Sequence, residues 1–150
     1  MPTLSQRDLV EIERQAVELA TMAGAQITAA LGRTLAVRYK GEADKREDLR
    51  DPVSEIDEEV EVLIRKQVAS FFPGQDVLGE ESEERPRRDH DIVWTIDPID
   101  GTANFVNGFP IFAASIGVLN RGVPVVGAVW CSTSHALRSG VYHARTGGPL

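Results

Sequence analysis

The chain has 150 residues, 42% of them hydrophobic and 26% charged, with a formal net charge of −7. That length supports one compact domain with a real core, and the acidic balance argues against nucleic acid as a partner, so a phosphorylated ligand would have to be met by cations or aimed backbone amides. The apolar stretches 109–119 and 123–131 are too short to cross a bilayer, the start MPTLSQRDLVEIERQ has no apolar leader, and the single Cys131 cannot close an internal disulfide, so no membrane and a cytoplasmic location are expected.

Leu9, Ile12, Ala16, Leu19, Ala23, Ile27 and Ala30 recur at spacings of three and four, which predicts a long amphipathic helix over Ser5 to Leu31. Ser5 with Asp8 forms an N-cap pair, and Gly32 offers a stop. Leu35 to Tyr39 reads as a short strand, and the polar, mixed-charge segment from Gly41 to Arg50 as a mobile loop. A second helix is expected from about Ser54 to Phe72, with Val53, Ile56, Val60, Leu63, Ile64, Val68 and Phe71 on its apolar face and Pro73-Gly74 ending it.

A strand then runs through Val77 and Leu78 into a loop at Glu80 and Glu81, and another covers Asp91 to Ile96. Pro98 and Gly101 predict a turn bracketed by Asp97 and Asp100, and Thr102 to Val106 a short helix. Between Ile111 and Tyr142 the breaks at 120–122 and 132–135 predict three antiparallel strands. Two long helices beside a largely antiparallel sheet define an α+β domain spanning 1–150.

Asp57, Glu80, Glu81, Asp97 and Asp100 all stand at the ends of predicted elements. Two carboxylates about 4 Å apart repel by roughly 4 kcal/mol at an effective dielectric of 20. A cluster of them is stable only if it takes up protons or a cation. Oxygen donors suit Mg²⁺, Mn²⁺ or Ca²⁺; no Cys or His accompanies them, against zinc, and the spacing is not that of an EF-hand. Pro98 fixes the backbone between the aspartates, and Gly101 allows a ligand close approach. Free amides at the start of a helix at Thr102 point at anions. Carboxylates for metal and amides for phosphate within six residues are the parts of metal-assisted phosphate hydrolysis.

Simpler readings stand beside these. Asp97 and Asp100 suit turn chemistry, Glu80 to Glu84 a solvated acidic run, and Asp57 and Thr102 helix caps. Glu83, Glu84, Arg85, Arg87 and Arg88 belong to a solvated loop; His90, His135 and His143 lack metal-ligand spacing; Cys131 reads as a small core residue, and Trp94 and Trp130 as packing residues.

Asp97-Pro98-Ile99-Asp100-Gly101-Thr102, followed by Asn104-Phe105, resembles the signature of the inositol monophosphatase family, a match expected by chance on the order of 10⁻⁸ per position. Gly79-Glu80-Glu81 resembles a second family motif, and Asp51-Pro52-Val53-Ser54-Glu55-Ile56-Asp57 a third, with Ser54 where Thr is usual. The order and spacing agree, and the likeness continues past Phe109-Pro110 over nearly the whole chain.

The resemblance implies the N-terminal part of the layered αβαβα sugar-phosphatase fold and Mg²⁺-dependent hydrolysis of a small phosphomonoester such as inositol monophosphate. Histidinol phosphate, fructose 1,6-bisphosphate and nucleotide 3′-phosphate are alternative substrates. It implies that Glu80, Asp97 and the Ile99 carbonyl hold a first metal, with Asp97 and Asp100 on a second, Mn²⁺ being able to replace Mg²⁺. Thr102, hydrogen-bonded to Asp57, would orient the attacking water; the Gly101 and Thr102 amides would hold phosphate; Glu81 would support from behind. Lys45 or Arg46 would approach a third metal. Lithium sensitivity and a homodimer follow from the same resemblance. Family chains run well beyond the equivalent of Leu150, and their second half supplies another metal aspartate and most substrate contacts, so a noncatalytic metal- and phosphate-binding relative is the competing expectation.

Overall fold

The computed structural model describes residues 4–31, 54–87 and 90–149, and the backbone alone of 37–39 and 52–53. The expectations placed on Gly32, Leu35, Lys45, Arg46, Asp51 and the 41–50 loop lie outside the described residues.

Helix α1 (Gln6–Ala30) begins as its sequence dictates. The Asp8 carboxylate accepts from the Ser5 backbone N–H at 2.9 Å, and Ser5 Oγ accepts from the Asp8 N–H at 3.2 Å. Two donors that the helix geometry leaves unpaired are thereby satisfied. All seven residues of the expected apolar stripe are buried.

Helix α2 (Glu55–Phe71) buries Ile56, Val60, Ile64 and Val68. Phe71 departs from the expected face, with 53% of its surface exposed. Phe72, just past the helix end, packs instead, its ring 5.3 Å from that of Trp94. Phe72 follows Ile56, Val60, Ile64 and Val68 at the same spacing of four, and its N–H still bonds the Val68 carbonyl at 2.8 Å, so the buried ridge of the helix runs on through Phe72 rather than Phe71.

Strands β1 (Val37–Tyr39) and β2 (Pro52–Ser54) form a small antiparallel pair that leads into α2. The main sheet has the order β3-β4-β5-β6-β7, from β3 (Asp76–Gly79), β4 (Ile92–Asp100), β5 (Ala113–Asn120), β6 (Val123–Cys131) and β7 (Gly140–Arg145). The β3–β4 pair is parallel and the other three pairs are antiparallel, so the α+β expectation holds with one parallel edge.

Alternate residues of β4, β5 and β6 (Trp94 and Ile96, Ala114, Ile116 and Val118, Val126, Ala128 and Trp130) are buried in the core formed with both helices. Helix α1 lies on β5, β6 and β7, and α2 on β3 and β4, with the helices touching each other. The closest approach is at Gly24, where a Cβ would stand 2.2 Å from Trp130 Cε2. Glycine lets the helix seat on the indole. Glu13 ties α1 to the sheet edge, accepting from Arg145 Nη1 at 2.8 Å and lying 2.8 Å from His143 Nδ1.

The expected turn at Asp97–Asp100 is instead the end of β4. The partners run Asp97–Ser115 and then Asp100–Ala113, so β4 carries one extra residue there. This is a bulge, and it accommodates Pro98, which has no N–H to give to the ladder. Only at Gly101 does the chain turn, with φ 86° in the left-handed region that favours glycine.

Candidate metal centre

Glu80 and Asp97 meet because β3 and β4 are parallel. Gly79 pairs with Ile96, so the next residue of each strand, Glu80 and Asp97, leaves the sheet side by side at its carboxyl end. Crevices at the carboxyl ends of parallel strands are the usual ligand sites of such sheets. Residues three apart in a regular strand face opposite ways. The extra residue of the bulge brings Asp100 back to the side of Asp97.

The electrostatics record this crowding. The Asp97 carboxyl is raised from the ordinary 3.8 to about 7, first by burial, then by its hydrogen bond with Glu80 and the negative charges of Glu80, Asp100 and Asp57. Asp97 Oδ1 is buried with no hydrogen-bond partner among the described residues. Glu80 and Asp100 themselves are exposed. Among the described residues no three acidic, histidine or cysteine side chains already form a closed cation cage. The hydrogen bond between Asp97 and Glu80 joins those two groups to each other rather than around a common centre. The donor set nonetheless fits a hard cation: only oxygens, one of them buried and unpaired, and more negative charge than the pocket tolerates bare.

Behind the cluster lies Asp57, buried at the first turn of α2. One carboxylate oxygen accepts from the Ser54 N–H at 2.8 Å and from the Ser54 hydroxyl at 2.5 Å. The other lies 2.9 Å from Thr102 Oγ1, which is also 2.8 Å from the Ile99 carbonyl oxygen. Thr102 has one proton and so donates to one of these at a time. Burial pushes the Asp57 carboxyl upward, opposed by the hydrogen bonds from Ser54 and Thr102. Asp57 therefore both caps α2 and reaches Thr102; the cap and the site are one arrangement.

Helix α3 (Thr102–Val106) follows Gly101 directly. Asn104 Nδ2 donates to the Ile111 carbonyl at 2.7 Å, fixing α3 against the segment that leads into β5. A cleft of about 230 Å³ opens beside Asp100 and Gly101, lined also by Asn104, Phe112, Cys131 and Thr133. Cys131 is half-buried on this cleft and not in the core as expected.

The histidines pair elsewhere, His90 with Asp76 at 2.9 Å and His135 with the Tyr142 hydroxyl at 2.6 Å. Sequence reasoning missed Glu61, which is buried on α2 and accepts from the Glu81 N–H at 2.7 Å. The available signal was its position, four residues after Asp57 and four before Arg65, on one stripe of the helix.

Residues 8–149 match the Inositol monophosphatase family. An inositol-1-monophosphatase of Synechocystis is 34% identical over 129 residues, covering 86% of this chain and 43% of that protein. The crystal structure of the extragenic suppressor protein SuhB from Bartonella henselae superposes with a TM-score of 0.78 at 30% identity, over 91% of this chain and 50% of that one. An IMPase/NADP phosphatase solved with Mg²⁺ and phosphate shares the fold, with a TM-score of 0.74 at 22% identity, over 93% of this chain and 49% of that one. The chain belongs to the inositol monophosphatase family. It spans about half the length of the curated relatives it matches.

Proposed function

We propose that this chain supplies the cation- and phosphate-binding half of a phosphomonoesterase that hydrolyses a small phosphorylated metabolite, with inositol monophosphate the first candidate and Mg²⁺, or Mn²⁺ in its place, as cofactor. The observation that carries this reading is the Asp97 carboxyl, crowded by Glu80, Asp100 and Asp57, with a buried oxygen that none of the described residues pairs. A divalent cation relieves that crowding, as simple acidic turns or a solvated run would not require.

Glu80, Asp97, Asp100 and the Ile99 carbonyl would hold the cation. When bound, it polarises the phosphoryl group and lowers the pKa of water. The chain's own residues do the rest. Asp57 accepts the Thr102 proton, which leaves the Thr102 oxygen lone pairs free to hold and aim the attacking water. The first amides of α3, at Gly101 and Thr102, have no carbonyl a turn earlier and face the anion. Glu81 supports from the strand end. The reading extends to a cytoplasmic homodimer inhibited by lithium.

The competing reading is a cation- and phosphate-binding protein without turnover. Phosphate release separates the two. Inositol monophosphate, histidinol phosphate, fructose 1,6-bisphosphate and a nucleotide 3′-phosphate are incubated with Mg²⁺ and this chain, and with any longer protein that carries it. Release from one of them is expected. Cation binding with no release from any supports the second reading.

A further inference from the structure

A carboxylate buried as deeply as Glu61, which is 2% exposed, is stable only when fully paired. Its contacts are all directed at one end of the site. Oε2 accepts from the Glu81 N–H at 2.7 Å, and Oε1 accepts from Arg65 Nε at 2.9 Å. Arg65 Nη2 is also 2.9 Å from Oε1, and Nη1 donates to the Val77 carbonyl at 3.0 Å. Gly79 completes the fit: a Cβ there would stand 2.1 Å from Glu61 Oε1, so the strand end offers a side-chain-free notch for this carboxylate. Helix α2 thus grips the residues on both sides of Glu80. Asp57, one turn earlier on the same stripe, grips Thr102 at 2.9 Å.

We propose that Glu61, braced by Arg65, is a positioning residue for the cation site, holding the Gly79-Glu80-Glu81 strand end so that Glu80 faces Asp97. The inference rests on the reading of Glu80 as a cation ligand. The physical need is plain. Glu80 is exposed, so little packing resists its displacement into solvent. A charge-assisted hydrogen bond to the adjacent amide opposes that displacement and keeps the site assembled before the cation arrives.

The test uses Mn²⁺ as the probe, titrated by electron paramagnetic resonance, together with hydrogen exchange at the Glu81 amide. Glu61→Asp keeps the charge and shortens the reach. It is expected to weaken Mn²⁺ binding by about 10–100-fold and to speed Glu81 exchange by at least about tenfold. Should that variant fail to fold, the near-isosteric Glu61→Gln carries the same test. Glu18→Gln, which removes a surface charge on α1, should leave both readouts at the parental values. A residue that merely stabilised the fold would lower the melting temperature and leave the Mn²⁺ affinity of the folded protein unchanged; that result overturns the inference. So does parental Glu81 exchange in a folded Glu61 variant, whatever the cation does. A parent that binds no Mn²⁺ sinks the cation reading itself, and the claim about Glu80 with it.

Discussion

Asp97→Asn should make the cation-free protein more stable at neutral pH and deprive it of stabilisation by Mg²⁺. The Asp97 carboxyl is raised from 3.8 to about 7 in the folded protein. Below pH 3.8 the group is protonated in both the folded and the unfolded chain and contributes nothing. As pH rises from 3.8 towards 7, the unfolded chain releases the proton while the folded protein keeps it, so folding is progressively disfavoured. At roughly 1.4 kcal/mol per pH unit, and discounted for the solvent that reaches this half-buried group, the penalty above pH 7 is on the order of 2–4 kcal/mol.

Asparagine has nearly the same shape, carries no charge and retains an N–H to offer Glu80. The variant should therefore recover much of that sum, on the order of 4–16 °C in melting temperature for a chain of this size. Thermal melts of parent and variant in a chelator, from about pH 4 to 8, isolate this group as the difference between the two curves. The difference should be near zero at the acid end and widen towards pH 7. Added Mg²⁺ should raise the parent by about 2.7 kcal/mol at a hundredfold excess over its dissociation constant and leave the variant unmoved. A variant that melts below the parent in chelator at neutral pH would refute the reasoning, because Asp97 would then be a satisfied structural carboxylate.

Thr102→Val removes the hydroxyl that reaches Asp57 and Ile99 while keeping the shape. It should lower stability by about 1–3 kcal/mol, and phosphate release by at least about 100-fold, with the Mg²⁺ midpoint unchanged; parental turnover would exclude the hydroxyl from the chemistry. Gly24→Ala sets two effects against each other. Helix propensity favours alanine by about 1 kcal/mol, but its Cβ would lie 2.2 Å from the Trp130 ring, and overpacking of about 1–3 kcal/mol or more should win. Urea denaturation followed by tryptophan fluorescence should show a lower midpoint, and a higher one would disprove the helix–sheet contact.

The long helices were legible because their signals are local. The Ser5–Asp8 box and the stripe from Leu9 to Ala30 need only the helix itself to be meaningful. The strands from Ala113 to Arg145 were legible for a similar reason, since turns separate their apolar runs. At the site, the types of residue and their motifs were readable, whereas the means of bringing them together were not. The parallel pairing that sets Glu80 beside Asp97 and the bulge before Asp100 belong to the sheet ladder, which no local pattern encodes. Glu61 was invisible for the opposite reason: an acid between Val60 and Val62 on a helix reads as solvated until the neighbouring strand is known to bury it. Phe71 and Phe72 exchanged roles because the buried ridge keeps a spacing of four from Ile56 to Phe72, where a spacing of three at the last step had pointed to Phe71.

The surplus residue in β4 makes the chemistry vulnerable in an unusual way. Excising either Pro98 or Ile99 would restore an unbroken hydrogen-bond ladder against β5 and leave every carboxylate in the chain. Asp97 and Asp100 would then stand two apart in a regular strand and still share a face, but the Ile99 carbonyl, which Thr102 Oγ1 meets at 2.8 Å, would lose its present place between them. The acids would stay aligned while the backbone oxygen between them moved, so the irregularity of the strand serves the carbonyl rather than the carboxylates.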